Sequence, residues 1–381
     1  MDVKVARDLA EGMKIMHLEK QCHNMLRQPV SLIVLVAIVG ALLGCSSTNR
    51  GKPAQAPESR VALKGAGSTL VSLLFKHWFL TYQNKYPGVT ITYASVGSGE
   101  GIRRFIGKNL KEEEMVDFGA SDAALNNEQI ASVSTGVVLL PVAAGGVVLA
   151  YNLPDFEGDL RLSRKAYTGI FLGEVRYWND PLIAQTNPGK KLPKLEIITV
   201  VRQDGSGTTF AFTKHLDAIS EKWHLRYGPL TRVSWPGTAL RAPGNEGVAG
   251  RIKESIGSIG YTAYAFAKEG GLKMALLENK EREFVKPTEQ SCAAAFASAE
   301  IPEDLRLFIP DPAGRDSYPI VTLTWALLYS KYEDSKKAAA VRDLFRWCLL
   351  DGQKYSSETG YLELPQNIAA RTLTALKTIT P

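Results

Sequence analysis

After Gly65-Ala66-Gly67-Ser68-Thr69, apolar residues recur every four positions at Leu70, Leu74, Trp78, Tyr82 and Tyr86, with Leu73 and Phe79 beside them. That spacing predicts a helix with one buried stripe, whose aromatics read as core packing. Pro87-Gly88 ends it, and Val89, Ile91 and Tyr93 then alternate as a strand does. The strand runs into Gly97-Ser98-Gly99-Glu100-Gly101, with a second helix expected from Ile102. Val116 to Ala120 reads as a short strand ending at Ser121-Asp122. Leu195 to Val201 is a strongly β-like run that leads into Arg202-Gln203-Asp204-Gly205-Ser206-Gly207-Thr208-Thr209, after which Phe210, Phe212 and Leu216 mark another helix. This alternation predicts an α/β fold.

One segment breaks the pattern. Val30 to Leu43 is an apolar run broken only by Ser31, preceded by Arg27 and followed by Gly44-Cys45. It is shorter than the roughly 20 residues a spanning helix needs. Its order of basic flank, apolar stretch and small residue is that of a secretory signal. Leu42-Leu43-Gly44-Cys45 also resembles a bacterial lipobox, which would make Cys45 the lipidated first residue of a membrane-anchored, periplasmic or cell-surface protein. The residues before Met25 carry both charge signs and no apolar stretch, so translation is expected to begin at Met25 or Met16. The expected division is a leader and signal peptide over 1–44 and a polar tether over 45–60, with the folded part starting near Val61.

Length and charge sharpen the picture. At 381 residues the chain exceeds one typical domain of about 100–200 residues, so two lobes are expected. Apolar residues at 45% and charged residues at 22% argue against disorder and against a polytopic membrane protein. The net charge of +6 is scattered, which leaves no basic arm for nucleic acid. Of the four cysteines, Cys22 leaves with the leader and Cys45 takes the lipid. Whether Cys292 and Cys348 pair is left open, because sequence does not give the distance between them. The five histidines are dispersed and there is no CxxC, so neither a metal nor a cofactor is expected.

The candidate chemistry sits where strand ends deliver Gly/Ser/Thr loops beside helices. Such loops offer free backbone N–H groups and the positive end of a helix, a physical means of holding an oxyanion. Arg202 adds a permanent charge, and Asp204 can orient it. A GxSxG elbow and a Walker A motif are both absent from the sequence, which counts against esterase and nucleotide-hydrolase readings.

GAGST (65–69), GSGEG (97–101), DFGASDAAL (117–125), NPGKKLP (187–193) and VVRQDGSGTTFAFT (200–213) together resemble the substrate-binding subunits of high-affinity phosphate ABC importers. GGVVLAYN (145–152), GNEGVAGRIK (244–253) and IGSIGYTAYAFAK (256–268) look like the same family. The resemblance implies a two-lobed periplasmic-binding-protein fold of type II, with a ligand cleft between lobes joined by a hinge. It implies extracytoplasmic phosphate binding without catalysis, and membrane permease subunits of an importer as partners. Carried over by position, Thr69, the Leu70 backbone, Ser98 and Asp122 would contact phosphate from one lobe. Arg202, Ser206, Gly207 and Thr208 would contact it from the other, and Glu100 is expected to face solvent. The lobes expected are 61–145 with 262–381, and 146–261, crossing near Gly145-Gly146. Rival readings are a receptor for another tetrahedral anion, a secreted phosphatase on the same scaffold, and a phosphate sensor without importer partners.

Overall fold

The computed structural model describes residues 60–297 and 299–381. The expected leader, signal and Cys45 lie outside the described residues. Among the described residues twelve strands follow in order: β1 (Val61–Gly67), β2 (Val89–Ser95), β3 (Phe118–Ser121), β4 (Val137–Tyr151), β5 (Arg161–Leu162), β6 (Ile198–Arg202), β7 (Leu240–Ala242), β8 (Ser258–Ala263), β9 (Lys273–Met274), β10 (Leu276–Glu278), β11 (Phe284–Val285) and β12 (Val321–Tyr329). Helices separate most of them, giving the mixed α/β architecture.

The main sheet runs β2-β1-β3-β12-β4-β8-β6-β7, with β9 also on β4. Its organiser is β4, fifteen residues long and buried at every position after the first. Val137 to Gly146 pair antiparallel with β12, and Val147 to Tyr151 pair antiparallel with β8. One strand thus serves two half-sheets, and the handover falls at Gly146/Val147. Pro141 sits inside this central strand, where a proline would forfeit a ladder bond. The register shift opposite Thr324/Trp325 leaves Val142 as an extra residue beside it, a bulge that accommodates the missing N–H. Strand β9 bonds to the second half of β4, and β10 bonds to β5.

The helix Ser72–Lys85 buries Leu74, Trp78, Phe79 and Tyr82 of the expected stripe and adds Phe75; Leu70 is buried just ahead of the helix, Leu73 is half-buried and Tyr86 at its end is exposed. Its partner helix begins at Ser98, four residues before Ile102, so the glycine-rich motif is the first turn of the helix and not a loop ahead of it. Gly101 explains why the turn is glycine-rich: a Cβ there would stand 2.3 Å from the Gly67 Cα, so a side chain would push the helix off β1. Cys292 and Cys348 are buried free thiols, and burial pushes the Cys292 thiol up to about 12.

Candidate functional site

Strand β1 is parallel to both β2 and β3, so the carboxyl ends of all three point the same way. They deliver Ser68-Thr69, Gly97-Ser98 and Ser121-Asp122 to one place, the usual location of ligands in open α/β sheets. From the other half-sheet, β6 and β7 are also parallel, and they bring in the Arg202–Thr209 loop and Gly244-Asn245.

Asp122 is the centre of the first group and is 1% exposed. Ser68 Oγ donates to its Oδ1 at 2.6 Å and Oδ2 at 2.8 Å, and Thr324 Oγ1 donates to Oδ1 at 2.6 Å. Its backbone N–H donates to Ser98 Oγ at 3.2 Å. Burial pushes the carboxyl up from 3.8 to about 6, against the pull of the Ser68 and Thr324 hydroxyls, of Arg202 and of Ser98. At neutral pH it is an ionised acceptor ringed by donors.

Arg202 is the centre of the second group and is 3% exposed. Its Nε donates to Asp204 Oδ1 at 2.9 Å, and a terminal nitrogen holds the other oxygen, a two-pronged grip that fixes the guanidinium plane. Asp204 Oδ1 also accepts from the Gly244 N–H at 3.0 Å, so the orienting carboxylate is itself held. The other terminal nitrogen reaches Thr208 Oγ1 at 3.3 Å. Ser206 caps the helix Gly207–Ile219 by accepting from Thr209 N at 3.0 Å, which places Gly207 and Thr208 at the positive helix end.

The two groups touch. Gly99 N donates to Gly205 O at 2.9 Å, and Asn245 Nδ2 donates to Thr69 Oγ1 at 2.9 Å. A Cβ on Gly207 would lie 2.5 Å from Ser98 Oγ and 2.6 Å from Asp122 Cβ, so only glycine lets the loops approach this closely. Thr69, Leu70, Ser98, Asp122, Arg202, Ser206, Gly207 and Thr208 therefore form one cluster. The Leu70 N–H donates to Ser68 Oγ at 3.0 Å.

A family model described as a PBP superfamily domain matches residues 53–351. The phosphate-binding protein PstS of Xylella fastidiosa is 36% identical over 324 residues, 84% of this chain and 86% of that protein. PstS of Pasteurella multocida is 36% identical over 319 residues, 83% of this chain and 90% of its own. The chain belongs to the PstS family. Among solved structures, a high affinity periplasmic phosphate-binding protein bound with phosphate matches with a TM-score of 0.66 at 21% identity, covering 81% of this chain and 92% of its own. A phosphate-binding protein from Stenotrophomonas maltophilia gives 0.66 at 18%, covering 82% and 93%. At these identities the likeness is one of fold, and it is the two-lobed one.

As expected, Glu100 turns away from the cluster. It pairs with Arg103 at 2.7 Å and Arg104 at 2.8 Å, and those guanidiniums hold its carboxyl well below the usual range. Sequence reasoning missed Ser68, Thr324 and Asn245. Ser68 and Asn245 sit inside quoted motifs, and Thr324 is one of two threonines in an otherwise apolar strand. A hydroxyl at a position buried on both faces was the available signal.

Proposed function

We infer that this PstS-family chain binds inorganic phosphate outside the cytoplasm and delivers it to an ABC-type importer. The observation that carries the reading is Asp122, a buried carboxylate in a cluster otherwise made of donors, facing the loops that hold Arg202. Hydroxyls, helix-start amides and a guanidinium suit the oxygens of an oxyanion. The carboxylate needs a ligand that still carries a proton. Phosphate meets both demands, and the chain acts by binding and release without turnover.

At a finer level, Thr69, the Leu70 N–H, Ser98 and Asp122 contact the anion from one lobe in this proposal. Arg202, Ser206, Gly207 and Thr208 contact it from the other, with Asp204 orienting Arg202. The Leu70 N–H is shared between the anion and Ser68 Oγ. The lobes proposed are 61–145 with 262–381, and 146–261. The partner change of β4 at Gly146/Val147 supports the first boundary, whereas β9 and β10, which bond to β4 past Gly146 and to β5, tie residues 273–278 to the 146–261 side and argue for a second crossing later than 262.

We also propose that residues 1–44 are removed and that Cys45 is lipidated, with residues 45–60 as tether. Among the described residues no helix is long and apolar enough to cross a membrane. The intact mass of the mature protein should correspond to a chain starting at a lipidated Cys45. A mass that includes Val30–Leu43 sinks the proposal.

Calorimetric titration with phosphate, arsenate and sulfate tests the function. Phosphate should bind tightly, arsenate less so, and sulfate weakly at about pH 7.5. The carboxyl of Asp122 sits near 6, so it is an acceptor above that pH and a donor below it. Each pH unit below its pKa raises the protonated fraction relative to the ionised one about tenfold, so the phosphate-to-sulfate preference should shrink by about tenfold on going to pH 5. A preference that stays level from pH 7.5 to 5 removes Asp122 as its source, and an absence of phosphate binding removes the function itself.

A further inference from the structure

We propose that Asn245 is a positioning residue that makes Thr69 and Thr208 obligate hydrogen-bond donors toward the bound anion. The proposal rests on the phosphate-binding reading above. Asn245 is fully buried in the first turn of the helix Gly244–Glu254. Its Oδ1 accepts from the Ala263 backbone N–H at 2.9 Å and from Thr262 Oγ1 at 3.3 Å. A backbone N–H can only donate, so that contact decides which amide atom is the oxygen. The NH2 group must therefore face the site. Its two N–H bonds divide between Thr69 Oγ1 at 2.9 Å and Thr208 Oγ1 at 3.0 Å.

A threonine hydroxyl has one proton to give and two lone pairs with which to accept. Thr69 Oγ1 takes a second N–H from the Asn245 backbone at 3.1 Å, and Thr208 Oγ1 takes one from Arg202 at 3.3 Å. Both lone pairs of each oxygen are thus engaged, and what each hydroxyl has left to offer is its proton. Asn245 thereby selects ligand oxygens that accept, and so favours the dianion of phosphate over the monoanion. Thr69 follows β1, whereas Asn245 and Thr208 lie in the first turns of helices that follow strands of the other half-sheet. The Thr69 hydroxyl is accordingly set only when the two halves meet.

Two substitutions separate this role from packing. Asn245→Asp keeps the size and the oxygen that Ala263 needs, but its second oxygen can only accept, so it draws the threonine protons away from the anion. Asn245→Ala removes the donors and leaves both hydroxyls free to rotate. Phosphate would be titrated calorimetrically into wild type and both variants at about pH 6 and about pH 8, with thermal melts alongside. The titratable and charged neighbours, Asp122, Arg202, Asp204, Tyr93, Tyr261 and Tyr361, are common to all three proteins.

Asn245→Ala should lose about tenfold in affinity, and its affinity should depend less on pH than that of wild type, because freed hydroxyls can accept from the monoanion. Asn245→Asp should lose more than alanine, on the order of a hundredfold or beyond. A packing role leaves the pH profile of Asn245→Ala unaltered, and that profile separates the two roles, since a new carboxylate beside the anion repels it in either case. An aspartate variant that binds as well as alanine, or an alanine variant with the wild-type pH profile, overturns the proposal. Should Asn245→Asp fail to melt cooperatively, the pH profile of Asn245→Ala decides alone. Absence of phosphate binding by wild type would overturn the functional reading and this proposal together, whereas wild-type binding with both variants unaffected overturns this proposal only.

Discussion

Arg202→Ala should weaken phosphate binding by about 30-fold to several thousand-fold, a loss on the order of 2–5 kcal/mol. The guanidinium is almost wholly enclosed, with 1% of its side chain exposed, so solvent screens its charge little. Removing it leaves Asp204 held only by the Gly244 N–H and sets two carboxylates, Asp122 and Asp204, near an anion with no cation between them. Arg202→Lys should recover only part of the loss, since one ammonium cannot grip both oxygens of Asp204 and still reach Thr208. Calorimetry on the three proteins checks this. An alanine variant within threefold of wild type means Arg202 is misassigned.

Asp122→Asn should narrow the preference for phosphate over sulfate, by one or more orders of magnitude if the usual selectivity of a buried hydrogen-bonding site applies. Of the two carboxylate oxygens, Oδ1 already accepts from Ser68 and Thr324, while Oδ2 accepts from Ser68 alone. One lone pair on Oδ2 is therefore left for the ligand, and it calls for a ligand proton. Phosphate near neutral pH has one; sulfate has none, and its oxygens would face the carboxylate in a buried site. An amide nitrogen at that position donates and accepts sulfate readily. Titrating both anions into both proteins decides the matter, and an unchanged ratio places selectivity elsewhere. Arsenate carries a proton as well, so Asp122 offers no discrimination against it.

The parts of the site legible in the sequence were those carried by local motifs. Each Gly/Ser/Thr loop lies within a few residues of the strand that positions it, so local sequence marked the loops and Arg202, while Ser98, Asp122 and Ser206 were picked out by the resemblance to the phosphate-importer family. Thr324 was not legible because its bond to Asp122 spans 202 positions, and nothing near either residue announces the other. Element boundaries slipped for similar reasons. Leu195 belongs to a β-like run, yet β6 starts only at Ile198, because Trp178 N takes the Leu195 carbonyl and Glu196 bridges to Tyr177. The helix start at Ser98 was hidden by glycines, which ordinarily weaken a helix and are here required by the approach of Gly101 to β1.

Strand order also sets when the molecule can become whole. The half-sheet of β4, β8, β6, β7 and β9 is complete once Met274 has been made, so it can fold on the growing chain. The other half cannot, because β12 lies between β3 and β4 and comes last of all the strands. Until Val321–Tyr329 arrives, β3 and the first part of β4 present unpaired edges, the condition that invites misassociation. Closing so long a loop before any pairing rewards it makes insertion of β12 the expected slow step of folding. The same strand carries Thr324 to Asp122, so a nascent or truncated chain ending before Val321 has a structured middle but an unfinished ligand site. Ligand competence is the last property the polypeptide acquires.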